Sequence, residues 1–467
     1  MLSCPRVLAV GLALTLGCVA PGGGSDGDPS GPGGKADDGG RAIVDAIDGW
    51  NTSLSDADRD AKYCKMAASA FSFYRGTNHL FWSDFAQDAR LSEFGNDKTR
   101  TWLQGDLHAY NFGAFDNDRG DVVYSVNDFD ESIVADYQYD VWRMAISLVL
   151  IARANDDLSN AKQRRVVDAF TESYLDSVAG YRGNNRELDV TFSEKTTSGL
   201  LEDFLDDVAK DNSRRAALDK WTVVQAGARV FNFGLDKLAP VTADQDAQLR
   251  AGVIGYGATL SGRIDYSASY FQVKSVARRL LAGTGSLGTP RFYLLIEGPT
   301  DADSDDRILD VKRQSAPTSY FFLGAATRAE YDGAFNNHAR RHAIAMKALL
   351  DNVDDHLGWL SLPDGDYSVR ERSVFKEAFP VEDLDTRSKF SELAIYWGAV
   401  LATNHSRADQ DFDPGYVGYS VDKQVDEATD HHHDDFRQLV REVAFAYADQ
   451  VETDWNTFVD SLDVVCQ

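Results

Sequence analysis

The sequence is short of positive charge, has few cysteines and contains a single long apolar run. Among its 467 residues, 47 Lys and Arg stand against 74 Asp and Glu, which gives a formal net charge of −27. A charge of that sign repels nucleic-acid phosphates and anionic lipids, so we expect no nucleic-acid partner. The apolar run, residues 7–17, is too short to span a bilayer as a helix, which excludes a polytopic membrane protein. A content of 43% hydrophobic and 26% charged residues excludes a wholly disordered chain.

Familiar metal-binding patterns are absent or incomplete. No HExxH zinc motif occurs. Aspartates at alternate positions of 301–305 have the spacing of a calcium-binding loop, but Asp306 replaces the glycine that such a loop needs. Lys312 replaces its final glutamate, and the two changes together exclude an EF-hand. Three consecutive histidines at 431–433 cannot all face one ion from a regular element, so we expect a solvated acidic loop there.

Residues 1–17 have the order of a bacterial export signal, with one basic residue, an apolar segment and a small residue at the end. Cys18 follows at the cleavage point, as in the lipobox of bacterial lipoproteins, although Thr15 stands where leucine is usual. The alternative is an ordinary cleaved signal followed by an incidental cysteine. Residues 19–40 contain nine Gly and three Pro, a composition typical of a flexible tether. We therefore expect a lipidated Cys18, a tether over residues 18–40 and a location in the bacterial cell envelope, with the lipid as the only membrane contact.

Two of the four cysteines remain for the folded region. Cys4 would leave with the signal, and Cys18 would carry the lipid. Cys64 and Cys466 then lie in a compartment that permits disulfides. We predict a bond between them that ties the start of the folded region to its end, and the alternative is two buried thiols.

The predicted secondary structure divides the folded region into three parts, which indicates an α+β protein. Residues 41–264 are mainly helical in pattern, with strand-like pieces within 101–130. Residues 265–375 contain short β-like runs separated by Gly-rich or Asp-rich turns, together with a helix from 327. Residues 376–467 return to helix.

The most informative motif is GDLHAYN, residues 105–111, followed by NDFD, residues 127–130. Asp106 can accept or orient the proton of a substrate hydroxyl. Asn111 and Asp128 can hold Mg²⁺ on nucleotide phosphates, because Mg²⁺ prefers hard oxygen ligands. The alternative is that Asp and Asn are common turn formers in an acidic chain. The ordered set is more specific than any one of its members.

A glycine-rich segment with the pattern GxGxxG covers residues 283–288. A Rossmann site requires a helix after this pattern, but the strand-like run RFYLLIE, residues 291–297, follows it. A glycine-rich hairpin between two strands is instead the arrangement of protein kinases, in which the loop covers the phosphates. A third predicted strand ends at Lys312, where a kinase carries its phosphate-contacting lysine. The alternative for Lys312 is a solvated lysine at a strand end.

Several motifs together resemble those of an uncharacterised bacterial family, domain of unknown function 2252. The resemblance spans roughly residues 70–410 and is most specific in GDxHxxNFG and NDFDE. That family is placed with protein-kinase-like and aminoglycoside-phosphotransferase-like proteins. The matching segments are FSFYRG (71–76), GDLHAYNFGAF (105–115), VNDFDES (126–132), YDVWRMAISL (139–148), VARRLLAGTGSLG (276–288), LDVK (309–312), HLGWL (356–360) and ATNHSRADQ (402–410).

This resemblance implies roles for individual residues. Asp106 matches the catalytic aspartate, and Asp140 matches the structural aspartate that braces the catalytic loop. Asn111 and Asp128 match the metal ligands, and Lys312 matches the phosphate lysine. Arg75 either binds phosphate or pairs with a carboxylate. The other candidates are His108 beside the catalytic aspartate, Asp130 among the metal ligands, Gly283, Gly285, Ser286 and Gly288 in the phosphate-covering loop, and Glu330 for the glutamate that pairs with the lysine.

The expected function is a kinase-like phosphotransferase that uses Mg²⁺ and ATP, or another nucleotide, to modify a hydroxyl on a small molecule or a protein. An exported protein meets little ATP, however. The alternatives are therefore a different phosphate donor, nucleotidyl transfer on the same fold, or an envelope protein that binds a ligand without turnover.

The order of the motifs predicts a circular permutation. In ordinary kinases the glycine-rich loop and its lysine precede the catalytic loop, whereas here Lys312 follows Asp106. We expect a bilobal kinase-like fold whose small lobe comes from residues 265–375, with helices on both sides in sequence forming the large lobe. Lys312 should then face Asp128 across a cleft, with the glycine-rich loop above and Asp106 and Asn111 on the floor.

Overall fold

In the computed structural model of the chain, residues 39–154, 158–260, 266–267, 269–281, 283–463 and 466 are described. The predicted export signal, the lipidation site at Cys18 and the tether up to residue 38 lie outside these residues. Residues Gly39–Gln467 form one compact unit. Within the described residues, no helix is both long enough and apolar enough to cross a bilayer.

Five helices open the described chain. Serines that precede two of them explain where these helices begin, because a serine side chain satisfies a backbone N–H that the first turn leaves without a partner. Ser55 accepts from the N–H of Asp58, and Ser69 accepts from the N–H of Ser72. The helices are α1 (Gly39–Trp50), α2 (Asp56–Ala67), α3 (Ala70–Gly76), α4 (Asn78–Phe85) and α5 (Leu91–Phe94).

Two small antiparallel pairs of strands follow. They carry the predicted catalytic segment, GDLHAYN, residues 105–111, which is called the catalytic segment below. Strand β1 (Arg100–Leu103) pairs with β4 (Ile133–Asp136), and the hairpin of β2 (Phe112–Asp116) and β3 (Val122–Val126) lies between them in sequence. Helix α6 (Gln138–Arg153) begins directly after β4, and all of its residues except the last are buried. The catalytic segment is therefore held between short strands and a fully enclosed helix.

The segment from 160 to 256 contains helices and one hairpin that the helical pattern did not indicate. The hairpin is formed by β5 (Thr222–Gln225) and β6 (Ala228–Phe231), joined through Ala226 and Gly227 at positive φ. Each strand has only four residues, too few to show the alternating pattern that identifies a strand. The helices are α7 (Asn160–Tyr181), α8 (Leu200–Asp211), α9 (Arg214–Trp221) and α10 (Ala243–Tyr256).

A six-stranded antiparallel sheet forms the centre of the second half of the chain. Its strand order is β11-β12-β10-β9-β8-β7. The strands are β7 (Leu238–Ala239), β8 (Val273–Arg279), β9 (Arg291–Ile296), β10 (Arg307–Gln314), β11 (Gly358–Leu362) and β12 (Gly365–Glu371). The glycine-rich loop connects β8 to β9, and β10 carries Lys312 opposite Arg291 on β9 and Ser368 on β12.

The apolar core is divided between the sheet and the helices. Helix α10 covers one face of the sheet through Leu249, Val253 and Tyr256. Helix α9 and the β5–β6 hairpin cover the other face through Trp221 and Phe231. These covering elements precede residue 265. The sheet is therefore covered by segments that we expected to belong to the helical part of the chain. A mixed α+β architecture is confirmed.

The remaining helices pack with the first half of the chain in one large apolar cluster. Helix α13 packs along α7, and α15 packs along α6. Both neighbours come from early in the sequence, so helices from the two ends of the chain share a core. The helices are α11 (Ala325–Ala334), α12 (His338–Leu349), α13 (Arg387–Arg407), α14 (Val421–Thr429) and α15 (His433–Asp460).

The two ends of the described chain lie together. A disulfide joins Cys64 on α2 to Cys466, across a sequence separation of 402 residues. Beside it, the indole N–H of Trp455 donates to the carbonyl of Ala67 at 3.1 Å. The ring of Phe458 packs edge-on against Tyr63, with centroids 5.3 Å apart. Helix α2 is therefore attached to the C-terminal segment by a covalent bond and to α15 by aromatic packing.

We expect the double variant Cys64→Ser/Cys466→Ser to fold but to unfold at a lower urea concentration. Closing a loop of 402 residues restricts the unfolded chain, so the loss should be about 2–4 kcal/mol in the free energy of unfolding. Urea unfolding followed by far-ultraviolet circular dichroism measures it. Reductant should shift the wild type in the same direction and leave the variant unchanged, and equal midpoints would contradict the prediction.

Candidate active site

The catalytic segment is held by the buried carboxylate of Asp140 at the start of α6. Its two oxygens accept the backbone N–H groups of Gln104 at 2.6 Å and Gly105 at 3.0 Å. Gly105 has a φ of +84°, and a Cβ there would lie 2.1 Å from the carbonyl oxygen of Glu131. Only glycine therefore fits this turn. His405 on α13 approaches Asp140 from the other side, with Nε2 at 3.4 Å. Asp140 therefore holds the backbone at the turn that precedes Asp106.

Asp106 follows this turn and pairs with Arg143, one helical turn beyond Asp140. The Nε of Arg143 donates to Asp106 Oδ1 at 2.9 Å, and a terminal nitrogen of the same guanidinium contacts that oxygen too. Arg143 lies between the rings of Tyr74 and Phe81, 4.3 and 4.9 Å from their centroids. Burial raises the pKa of Asp106, and Arg143 opposes that rise. The sequence offered no sign of this arginine partner.

The β2–β3 hairpin brings Asn111 close to the NDFD segment. Phe112 is paired with Val126, and the N–H of Asn127 donates to the carbonyl of Asn111 at 2.8 Å. The side-chain nitrogen of Asn111 donates to the carbonyl of Asp106 at 2.9 Å, which leaves its side-chain oxygen as the acceptor. Oxygen ligands of the kind that Mg²⁺ prefers, from Asn111 and Asp128, therefore lie at one end of the hairpin.

Lys312 lies against the same segment. Its ammonium contacts Asp130 and is 3.8 Å from Asp128 Oδ1. Burial lowers the pKa of Lys312, but the attraction of Asp128 and Asp130 raises it by more. The ammonium therefore stays charged. Burial alone would raise the pKa of Asp130, but Lys312 and His342 lower it. Gln314 also donates to Asp130 at 2.8 Å, so protein donors occupy the carboxylate that we had grouped with the metal ligands.

The glycine-rich loop is attached to helix α2 by two lysines. Lys65 donates to the carbonyl of Gly283 at 2.9 Å, and Lys62 donates to the carbonyl of Gly285 at 3.3 Å. Gly288 has a φ of +89°, and a Cβ there would lie 2.6 Å from the side chain of Leu54. The loop therefore packs closely on the N-terminal helices. Neither lysine stands out in the sequence, because a helical Lys is ordinarily a solvated residue.

These segments surround one cavity of about 350 Å³. Its lining includes residues from the catalytic segment, the NDFD segment, the glycine-rich loop and the N-terminal helices. Asp128 is the most open of its predicted carboxylates, with 46% of its side chain exposed. The predicted site residues in the lining are Arg75, Asp106, His108, Asn111, Asp128, Asp130, Gly283, Gly285 and Ser286, and the lining also includes Trp50, Lys62, His79, Glu131 and Phe321.

The remaining candidates are His108, Glu330 and the acidic and histidine-rich stretches. His108 is buried against the edge of Phe71, and burial together with Arg75 holds its pKa well below the usual value, so its ring is neutral. Glu330 pairs with Arg100 and not with Lys312. The acidic stretch near 303 binds Lys274. His431 and His432 are largely solvated beside acidic side chains, whereas His433 is the first residue of α15 and contacts Glu172, so the expected solvated loop does not extend to it.

Comparison with known proteins gives a match to a protein family. A family model described as an uncharacterised protein conserved in bacteria, DUF2252, matches residues 57–461. No curated protein and no solved structure matches the chain.

We expect Asp140→Ala to destabilise the fold by about 2–4 kcal/mol, because the two backbone N–H groups that it accepts would be buried without an acceptor. Urea unfolding measures the loss. Asp434→Ala is the matched control, since this aspartate is 91% exposed and pairs only with its helical neighbour Arg437. That control should change stability by about 0.5 kcal/mol or less. Similar losses for both variants would contradict the bracing role of Asp140.

Glu131 predicts a pH dependence of stability. Burial first, and Asp106 second, raise its pKa from 4.5 to about 7. Between these two pH values the folded chain holds a proton that the unfolded chain releases, so this group makes stability fall as pH rises. Glu131→Gln has no charge to bury. The variant should match the wild type near pH 4.5 and exceed its free energy of unfolding by at most about 3 kcal/mol at pH 8. Urea unfolding across this range tests it, and parallel profiles would contradict it.

Proposed function

We propose that this chain, which belongs to the uncharacterised bacterial family DUF2252, is a kinase-like phosphotransferase. One observation carries the proposal. Asp106, Asn111, Asp128 and the glycine-rich loop line a single cavity, although the loop lies far from the other three in sequence. The ammonium of Lys312, on the second strand after that loop, is 3.8 Å from Asp128. A turn-forming role for these residues would not require them to converge.

The same convergence supports a circularly permuted kinase-like fold. The glycine-rich loop joins the first two strands of the meander β8-β9-β10, and Lys312 lies on the third, as in protein kinases. Helix α13 ends beside β1, where the carbonyl of His405 accepts the hydroxyl of Thr101 at 3.0 Å. Strand β1 leads into the catalytic segment. Helix α13 is therefore in contact with the strand that leads into the catalytic segment. In an unpermuted kinase, the corresponding large-lobe helix would directly precede that segment.

The residues present fit a Mg²⁺-nucleotide. The amide oxygen of Asn111 and the half-exposed carboxylate of Asp128 are hard ligands that line the cavity. When bound, Mg²⁺ would neutralise charge on the phosphates. Asp130 instead contacts the ammonium of Lys312. Asp130 would therefore be the acidic partner of this lysine, a role that was expected of Glu330. Asp106 would accept or orient the proton of the acceptor hydroxyl.

Ligand binding without turnover is the second candidate, and the Asp106–Arg143 pair favours it. The buried guanidinium of Arg143 contacts one oxygen of Asp106 through two of its three nitrogens and lowers the basicity of that carboxylate, against the burial that raises its pKa. The experiment on Asp106 below separates the two candidates.

We also propose that the chain acts in the bacterial cell envelope. The order of residues 1–18 supports export and lipidation at Cys18. The disulfide between Cys64 and Cys466 supports an oxidising compartment. The phosphate donor in that location would be scavenged ATP or another phosphorylated compound.

We expect Asp106→Asn to lower hydrolysis of Mg²⁺-ATP by about 10²–10⁴-fold while leaving its affinity close to that of the wild type. Asp128→Asn should weaken Mg²⁺-ATP binding by about tenfold or more, because it removes an anionic metal ligand. Phosphate release and calorimetric titration measure the two effects, and Asp434→Asn, on the surface, is the control.

The outcomes separate the candidates. A wild type that binds Mg²⁺-ATP without turnover would support the ligand-binding candidate. A wild type that neither binds nor hydrolyses it would contradict the proposed use of ATP. Unchanged turnover in Asp106→Asn would contradict the catalytic role of Asp106.

A further inference from the structure

Arg75, in the FYRG motif of helix α3, is a cation in the cavity that makes no ion pair with any described residue. Its guanidinium carbon lies 4.8 Å from the ring centroid of Tyr110 and 5.7 Å from that of Phe71. Among the described residues, no carboxylate lies within 4.0 Å of it, and its buried Nε has no hydrogen-bond partner. Within the part of the chain that the structure describes, Arg75 therefore has no carboxylate in direct contact.

Lys62, one helix earlier, is a second such cation. Its ammonium donates to the side-chain oxygen of Asn51 at 2.8 Å and to the carbonyl of Gly285 at 3.3 Å. Within the described part of the chain, no carboxylate lies within 4.0 Å of this ammonium either. Burial lowers the pKa of Lys62 to about 8, with Glu131 and Asp106 opposing the fall, so the ammonium is mainly protonated at neutral pH.

Three other buried cations among the described residues have direct ion-pair or hydrogen-bond partners, which sets Arg75 apart. Arg143 and Lys312 pair with carboxylates of the site. Arg341, also buried, donates to four backbone carbonyls, those of Phe129, Asp130, Ser132 and Ser315. Burying a charged group costs free energy unless a partner compensates it. The guanidinium of Arg75 lines the cavity with neither kind of direct partner and only the longer-range attraction of Asp106 and Asp128, so we expect a ligand to supply the direct contact.

We propose that Arg75 and Lys62 form an oxyanion site in the wall of the cavity, which binds a phosphate-class group. The site rests on the cavity of the proposed function and extends it, because it names an anion as part of the ligand. That anion is either the end of the donor's phosphate chain or an anionic group on the acceptor. A guanidinium is suited to it because its planar fork of N–H donors matches phosphate oxygens.

The surroundings of the site favour a small ligand. Trp50 and His79 stack 5.0 Å apart in the same wall, and α2 lies against the glycine-rich loop through Lys62 and Lys65. A cavity of about 350 Å³ enclosed in this way has the size of a small-molecule pocket. If the anion belongs to the acceptor, the acceptor class is a small hydroxylated compound that bears an anionic group.

Calorimetric titration of the purified chain with inorganic phosphate, without Mg²⁺ or nucleotide, tests the site. We expect Arg75→Gln to weaken phosphate binding by about tenfold or more, and Arg75→Lys to restore part of it because the charge is kept but the fork is lost. Arg90→Gln is the matched control. Arg90 also lies over aromatic rings, at 5.7 Å from Trp142, but it pairs with Asp88 and lies outside the cavity.

A second variant keeps the test decisive. Should Arg75→Gln lose its folded circular dichroism spectrum, Lys62→Met removes the other charge while keeping an apolar stem, and it should weaken phosphate binding in the same direction. Phosphate binding equal to that of the wild type in a folded variant of each kind would overturn the proposal, as would a wild type that binds no phosphate at millimolar concentration.

Preloading with Mg²⁺-ATP identifies the source of the anion. Loss of phosphate binding assigns the site to the donor's phosphates, and retained binding assigns it to the acceptor. The failure of this site and that of the proposed function give different results. If the chain binds phosphate through Arg75 but not Mg²⁺-ATP, the proposed function fails alone, whereas normal ATP turnover with phosphate binding independent of Arg75 overturns only the oxyanion site.

Discussion

The arrangement of the site depends on one buried carboxylate, that of Asp140. By accepting two successive N–H groups, from Gln104 and Gly105, it sets the direction in which the chain enters the catalytic segment. Asp106 follows at once and is held by Arg143 from the same helix. A buried helix that supplies both the brace and the arginine keeps these two contacts in fixed relation, because residues three apart lie on the same helical face.

A second constraint is the balance of charge in the cavity. Carboxylates from Asp106, Asp128, Asp130 and Glu131 meet there in a chain that is strongly acidic overall. Lys312 and Arg143 compensate part of this charge through direct contacts. Glu131 makes no ion pair with any described residue, and burial, followed by the charge of Asp106, raises its pKa. Arg75 and Lys62 stand apart from these pairs, which leaves the cavity with anionic and cationic walls that face the same space.

The N-terminal helices connect this cavity to the end of the chain. Lys62, Cys64 and Lys65 lie within one turn of α2, so the helix that contacts the glycine-rich loop also carries the disulfide to Cys466. In a chain without these lysine contacts and without the disulfide, the glycine-rich loop would be free to move over the cavity. Here its carbonyls are hydrogen-bonded to a helix that is itself bonded to the C-terminal segment.

How much could be predicted from the sequence depends on the range of each interaction. GDLHAYN, NDFD, GTGSLG and LDVK are local patterns whose chemistry is legible in the residues themselves, and they sufficed to recognise the family and an α+β chain.

The β5–β6 hairpin, the pairing of Asp106 with Arg143, the capture of Asp130 by Lys312 and the contacts of Lys62 with the glycine-rich loop were not predicted. Each of them joins residues whose individual types are unremarkable, or strands too short to show a period. The sequence by itself thus determined which chemical groups are available, and only the tertiary structure decided which of them are already paired with one another, because pairing depends on distances that chain order does not encode.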